Sequence, residues 1–166
     1  MIRSVSCCAA LVILGSCVLS GCSPKGDDMQ TSLTVAEAKN QTQDVENQIV
    51  ELVPPEFVAE VVQQPQGVLL ACDPHSVSWT GGTTITAQGA PDYAQILESI
   101  RQSFDGKDDY SSSLKTDSSG DPQLSIATTD DSLWIVGPMK DGRLLRITSS
   151  SPCFPTPDGM QPSDRY

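Results

Sequence analysis

The chain has 166 residues, with 10 basic and 21 acidic side chains and a formal net charge of −11. This acidic balance argues against binding to nucleic acid and against electrostatic attraction to an anionic membrane surface. Hydrophobic residues make up 38% of the chain, which at this length suffices for one domain with a modest core.

The N-terminal region has the pattern of a secretory signal peptide. Arg3 supplies one positive charge, and residues 7–14 (CCAALVIL) form an uninterrupted apolar run. Residues 4–21 carry no charge, but several of them are serines, which lower the apolar character of the segment. A membrane-spanning helix needs about 20 predominantly apolar residues. A charged start, a short apolar run and small residues at its end predict a cleaved signal over residues 1–21.

The end of that region, Leu19-Ser20-Gly21-Cys22, resembles the lipobox of bacterial lipoproteins. That motif is an aliphatic residue, two small residues and a cysteine whose sulfur receives a diacylglyceryl group before cleavage on its N-terminal side. The resemblance implies lipidation of Cys22 and an anchor on the outer side of the cell membrane, since two acyl chains hold a protein stably at a bilayer. The alternative is an ordinary signal peptide with a chance cysteine.

Only Cys72 and Cys153 remain once the signal and Cys22 are set aside. Exported proteins meet an oxidising environment, so this even pair predicts a disulfide. Closing a loop of about 80 residues would stabilise the fold by roughly 4–5 kcal/mol in the chain-entropy estimate. A metal site is the alternative, but His75 is the only histidine that could join the two cysteines.

Residues 22–33 are polar and contain proline and glycine, which predicts a flexible tether. A first helix then begins at the N-cap Thr34, with Glu37 as its capping-box partner, and ends at Pro54-Pro55. Apolar spacings of three and four predict a buried stripe: Val35, Ala38, Thr42, Val45, Ile49 and Leu52. The opposite face is charged or polar: Glu37, Lys39, Asn40, Gln43, Asp44, Glu46 and Glu51. The stripe packs on the domain's own sheet or forms a coiled-coil seam with a partner.

Strand-like patterns follow the prolines. Residues 57–63 and 68–72 flank Gln64-Pro65-Gln66-Gly67, which predicts a hairpin. Residues 77–87 are rich in β-branched side chains, and their Gly81-Gly82 pair indicates a bulge or a tight turn. If this strand lies at a sheet edge, Trp79 would form the floor of a ligand groove beside Gly81 and Gly82. Trp134 lies between apolar neighbours and is expected in the core.

Pro91 opens a second helix with Asp92 in its first turn. Its apolar face is Tyr93, Ile96, Leu97, Ile100 and Phe104. Two further hairpins are predicted, residues 110–116 with 123–128, and 133–139 with 144–149 around an Asp-Gly turn. The segment 152–166 contains four prolines. We expect it to be extended, tied down at Cys153 and loose over residues 161–166.

The order of helix, three strands, helix and four strands predicts an α+β fold. We expect one domain over residues 34–160. Its architecture would be a two-layer sandwich, with a mostly antiparallel sheet, both amphipathic helices on one face and one disulfide.

The sequence carries no catalytic, metal or cofactor motif: no phosphate-binding glycine loop, nucleophile elbow or paired histidines. We therefore expect neither an enzyme nor a cofactor. His75 lies in a turn signature, and the acidic pairs 108–109 and 130–131 flank strands and indicate solvated loops, with a calcium site as a minor alternative. A hydrolase using Asp73 or Asp130 would require a cleft in which carboxyl pKa values are raised.

The segments GVLLAC, WTGGTT, SPCF and PDGM resemble a group of uncharacterised lipoproteins of high-GC Gram-positive bacteria, over roughly residues 35–160. This resemblance implies a fold and an envelope location but no activity. The function expected is a non-catalytic binding or accessory domain for an unidentified envelope protein or small ligand. The alternative within binding roles is an inhibitor or immunity-type protein that uses a rigid exposed loop, with residues 140–143 and 105–109 as candidates.

Overall fold

The computed structural model describes residues 33–139, 142–163 and 165–166. The predicted signal peptide, the lipobox with Cys22 and all of the predicted tether except Leu33 lie outside these residues. Neither described helix combines the length and the apolar character that a bilayer span requires.

The first helix, α1, spans Val35–Glu51 and begins as its sequence predicts. Thr34 accepts a hydrogen bond from the Glu37 amide at 3.2 Å, and the Glu37 carboxyl accepts one from the Thr34 amide at 2.9 Å. This capping box satisfies two amides that have no partner within the helix. Ala38, Thr42, Val45 and Ile49 of the predicted stripe are buried, and they pack against the sheet of this chain.

One residue of the polar face of α1, Glu46, is fully buried. Thr83 donates a hydrogen bond of 2.6 Å to its carboxyl group, and Ser149 donates a second. The amide of Gln63 donates a third at 3.1 Å. These donors come from three strands, so the helix pattern alone could not reveal them.

The second helix, α2, spans Tyr93–Phe104. It begins two residues after Pro91 because Asp92 is the N-cap, accepting from the Gln95 amide at 3.1 Å. Of its predicted apolar face, Tyr93 is half-buried and the other four residues are buried: Ile96, Leu97, Ile100 and Phe104.

Eight strands of the described chain form one open antiparallel sheet. They are β1 (Val58–Gln63), β2 (Val68–Ala71), β3 (Ser76–Ala87), β4 (Tyr110–Thr116), β5 (Pro122–Thr128), β6 (Leu133–Pro138), β7 (Leu144–Ser150) and β8 (Phe154–Pro155). The order across the sheet is β1-β3-β7-β6-β5-β4, and β2 and β8 also pair with β3. A short 3-10 turn, Pro55–Phe57, leads from α1 into β1.

The predicted hairpin between the first two strands is wrong, because β1 and β2 both pair with β3. They lie end to end along one side of that strand, which is 12 residues long. Gln63 is opposite Thr83 and Val68 is opposite Thr80. The four residues Gln64–Gly67 therefore lie opposite only two, Gly81 and Gly82, and form a bulged interruption of the edge.

The two later hairpins, β4–β5 and β6–β7, are confirmed. In the turn between β4 and β5, Asp117 accepts hydrogen bonds from the Ser119 amide at 2.7 Å and the Asp121 amide at 3.0 Å. A short side chain that bonds its own backbone in this way favours a turn over a continued strand.

Both helices pack on one face of the sheet, which confirms the predicted α+β sandwich. The main core lies between the layers and includes Ile49, Ile85, Ile100, Phe104, Leu124, Ile126, Trp134, Val136, Leu145 and Ile147. Trp134 is buried as predicted, and its indole N–H donates to the Thr42 carbonyl at 3.1 Å. A second cluster at the other end of α1 contains Ala38, Leu69, Val77, Trp79 and Phe154.

The disulfide Cys72–Cys153 is present, with its Cα atoms 6.3 Å apart, inside the range that such bridges adopt. It connects the end of β2 to the residue before β8. These two strands pair with opposite sides of Val77 in β3. The bridge therefore joins the two neighbours of the central strand at its N-terminal end.

The C-terminal segment is held more firmly than its composition suggests. The amide of Tyr166 donates to the Gly67 carbonyl at 3.1 Å, and the Gly67 amide donates back at 2.8 Å. Ser163 donates to Leu69 at 2.7 Å, and Arg165 forms a bridge opposite Val68. The prediction of a loose tail over residues 161–166 is thus wrong for the described part, because its backbone pairs with the outer edge of β2.

Candidate functional site

The predicted ligand groove on Trp79 is not formed as expected. β3 has neighbours on both sides and is not an edge strand, and Trp79 is fully buried because its side chain packs in the cluster with Ala38 of α1 and Phe154. A Cβ at Gly81 would lie 2.2 Å from the indole ring, and one at Gly67 would lie 2.5 Å from it. The absence of a side chain at these two glycines therefore lets the backbone pack closely against the buried ring.

Gly81 and Gly82 form neither a turn nor a bulge, since β3 runs through them without a break. Instead, they lie where other parts of the same chain approach the backbone of β3 closely. A Cβ at Gly82 would be 2.2 Å from the Ile147 carbonyl oxygen of β7. The bulge that the glycine pair suggested lies instead in the segment paired with them, Gln64–Gly67.

One concavity of the described chain is an apolar groove of about 910 Å³. Its walls are the first turn of α1 and the C-terminal proline-rich segment. It is lined by Leu33, Thr34, Val35, Ala36, Lys39, Pro155, Thr156, Pro157, Asp158, Met160 and Tyr166. Leu33, Val35, Met160 and Tyr166 are half-buried because they also pack against the cluster around Trp79.

A second concavity of about 520 Å³, the arginine pocket, lies at the interrupted edge of the sheet. Its lining residues are Gln64, Pro65, Gln66, Gly67, Val68, Thr80, Gly81, Arg146, Thr148 and Arg165. Gly81 is the one member of the predicted groove that lines it. Thr80, Arg146 and Thr148 lie on the face of the sheet opposite to the helices.

Side chains of α1 hold the bulge that forms one wall of the arginine pocket. The amide of Gln43 donates to the Gln64 carbonyl at 2.8 Å, and the ammonium group of Lys39 donates to the Pro65 carbonyl. The backbone amide of Gln64 also donates to Gly82 at 3.0 Å. These bonds satisfy backbone groups that a regular strand would have used in its ladder.

Compared with known proteins, the chain matches no family model, no curated protein and no solved structure. The candidate sites therefore rest on their own geometry and chemistry.

The carboxyl groups considered for a hydrolase, those of Asp73 and Asp130, accept hydrogen bonds from residues of their own turns. Asp73 accepts hydrogen bonds from the Ser76 hydroxyl and the His75 and Ser76 amides, and these hold its pKa below the ordinary value. Burial raises the pKa of Asp130, but hydrogen bonds from Thr128 and Ser132 outweigh it and leave the pKa lowered. Both shifts are opposite to the raised pKa expected of a general acid.

The remaining candidate residues lie apart from both concavities. His75 is exposed in its turn. Within the described ranges no three histidine, cysteine or acidic residues are grouped to hold a metal ion. Of the two candidate loops, 140–143 is described only in part. The other, residues 105–109, follows α2, with Asp105 paired to Arg101 at 2.9 Å and the Lys107 ammonium 4.1 Å from the Phe104 ring centre.

Apart from Gly81, the sequence did not indicate the residues that line the two concavities. Arg146 and Thr148 alternate with buried Leu145 and Ile147 along β7, and this period places them together on the outer face. No local pattern, however, brings Arg165 or Tyr166 back to Gly67, about 100 residues earlier in the chain.

Proposed function

We propose that this chain is a lipid-anchored protein of the bacterial cell envelope whose domain binds an acyl chain of an envelope lipid. The apolar groove between α1 and the C-terminal segment is the observation that carries this proposal. The domain acts in this proposal as a binding module, without a reaction of its own.

The chemistry of the groove favours an apolar ligand. Its lining is dominated by Leu33, Val35, Met160 and prolines, and one of its two charged residues, Lys39, is bound to the Pro65 carbonyl. A volume of about 910 Å³ lies within the range of pockets for small molecules. Each methylene transferred from water to such a surface contributes about 0.8 kcal/mol.

The position of the groove favours a ligand from the membrane. Leu33, which lines it, is 11 residues after the predicted lipidation site Cys22. A fully extended chain of that length spans at most about 36–40 Å. If Cys22 carries lipid, the groove stays within that distance of the bilayer surface, where acyl chains are the most abundant apolar groups.

The groove can be tested with a fluorescent fatty acid, cis-parinaric acid, titrated into the chain that begins at residue 22 and carries Cys22→Ser. We expect saturable binding, weakened at least about tenfold by Ala36→Arg, because the new charge must leave water to make room for the ligand. Asn40→Arg, at an exposed position of α1 outside the groove, should bind as the parent does. Absence of saturable binding by the parent would contradict the proposal.

The anchor is tested separately in cells that process lipoproteins. Labelling with a palmitate analogue should mark the wild-type chain, and Cys22→Ala should lose the label and leave a precursor or a released form. A Cys72→Ala variant controls for labelling at other cysteines. If Cys22→Ala is labelled as strongly as the wild type, the anchor is wrong.

A further inference from the structure

We propose that the arginine pocket is a binding site for an oxyanion, the carboxylate or phosphoryl group of a small ligand, held by Arg146 and Arg165. Nothing in this inference rests on the apolar groove or on lipidation. The two concavities have no lining residue in common: Arg165 lines the arginine pocket and its neighbour Tyr166 lines the apolar groove.

The charges at the pocket favour an anion. Two guanidinium groups line it, and no acidic side chain does, although the whole chain has a net charge of −11. Arg101 of α2 has two ion pairs, whereas in the described part of the chain neither Arg146 nor Arg165 has one. Guanidinium groups match carboxylate and phosphate oxygens in a two-pronged geometry, so an anion here would satisfy both arginines.

A buried hydroxyl at the pocket provides a second, independent observation. Thr80 lines the pocket, and its Oγ1 is the one buried side-chain oxygen or nitrogen of the described residues without a hydrogen-bond partner. Buried polar atoms almost always have partners, and an exception calls for an unseen ligand or water. An oxygen of a bound anion would accept the hydrogen bond that Thr80 can donate.

The pocket is built before any ligand arrives. Arg146 donates from Nε to the Thr148 hydroxyl at 3.4 Å, which orients its guanidinium group on the outer face of β7. The bulge Gln64–Gly67 is fixed by α1 through Gln43 and Lys39, and Arg165 is carried by the segment that pairs with Gly67. Groups held in place by the fold lose little freedom on binding.

Inorganic phosphate and acetate, each compared with chloride at equal ionic strength, are the probes. In amide NMR spectra of the chain that begins at residue 22 with Cys22→Ser, titration should shift the signals of Gly67 and Gly81, which line the pocket. The signals of Gly106 and Gly120, in distant turns, should not move. Binding of either probe supports the site, and their relative affinities distinguish a phosphoryl ligand from a carboxylate ligand.

Variants separate a site from diffuse charge effects. Arg146→Gln should weaken phosphate or acetate binding at least about tenfold. Arg146→Lys keeps the charge but loses the two-pronged guanidinium geometry, so its affinity for the anion should lie between those of Arg146→Gln and the parent. Lys115→Gln removes an equal charge from exposed β4 and should leave binding unchanged. Thr80→Val should weaken anion binding without lowering the melting temperature of the free protein, because no existing bond is lost.

Two outcomes would overturn the inference. One is the absence of shifts at Gly67 and Gly81 with both probes. The other is an equal loss of binding in Lys115→Gln and Arg146→Gln, which would mean that the anions respond to overall charge. Binding of the methyl ester of cis-parinaric acid, which has no carboxylate for the arginine pocket, keeps this test separate from that of the apolar groove, because Arg146→Gln leaves every residue of that groove in place.

Discussion

Thr83 of β3 donates a hydrogen bond of 2.6 Å to the carboxyl group of Glu46 of α1, and both side chains are buried. Ser149 of β7 donates to the other carboxyl oxygen. No cationic side chain of the described chain pairs with Glu46. The buried carboxyl group therefore depends on uncharged donors, two hydroxyls and the Gln63 amide, which tie α1 to three strands.

Replacing Glu46 should destabilise the domain. Glu46→Leu leaves the buried hydroxyls of Thr83 and Ser149 without their acceptor, and we expect a loss of about 2–4 kcal/mol in the free energy of unfolding. Urea denaturation measures it, with Glu51→Leu at an exposed position of the same helix as the control. Equal stability of the two variants would mean that the buried carboxyl group contributes little.

Gly81 is predicted to tolerate no side chain while Trp79 is present. A Cβ there would lie 2.2 Å from the indole, so Gly81→Ala should cost about 1–3 kcal/mol through overpacking. Thermal unfolding should show a smaller cost for the same change in a Trp79→Leu background, because the ring that clashes is gone. Thr84→Ala, at a half-buried position of β3, is the control. Additive effects of the two substitutions would argue against the clash.

Acid should weaken the domain partly through Glu98. Hydrogen bonds from Arg101 and Gln102 lower its pKa from 4.5 to about 2. Because the folded pKa is the lower one, the stabilisation is complete above pH 4.5 and is lost as the pH falls through about 2. The melting temperature of Glu98→Gln should thus lie below that of the wild type at pH 7 and approach it near pH 2. A difference between Glu98→Gln and wild type that is constant with pH would contradict this assignment.

The disulfide Cys72–Cys153 should contribute roughly 4–5 kcal/mol, since its loop has a sequence separation of 81 residues. Cys72→Ser and Cys153→Ser should each lower the melting temperature, and the double variant should lower it little further. Mass spectrometry of the purified domain before and after reduction should show the gain of two hydrogen atoms. Free thiols in the natively purified protein would contradict the bridge.

Much of the fold could be predicted because it follows from short-range physics. The capping box at Thr34 and Glu37, the apolar face of α2 and the two later hairpins depend on residues close together in sequence. The prediction of a hairpin between β1 and β2 was wrong for a physical reason. A turn-like segment with Pro65 and Gly67 suits a bulge as well as a turn, and only pairing with β3 distinguishes the two.

The sequence by itself determined the two amphipathic helices, most strand boundaries, the α+β class and the cysteine pair, because periodicity, capping and residue chemistry are local properties. The tertiary structure alone decided that Glu46 is buried, that Trp79 lies beneath two glycines, and that Arg146 and Arg165 line the same pocket. Glu46 finds donors 37 and 103 residues away, and the C-terminal segment pairs with β2 through backbone groups that carry no side-chain pattern. Contacts over such distances arise from strand pairing and packing, which no short stretch of sequence encodes.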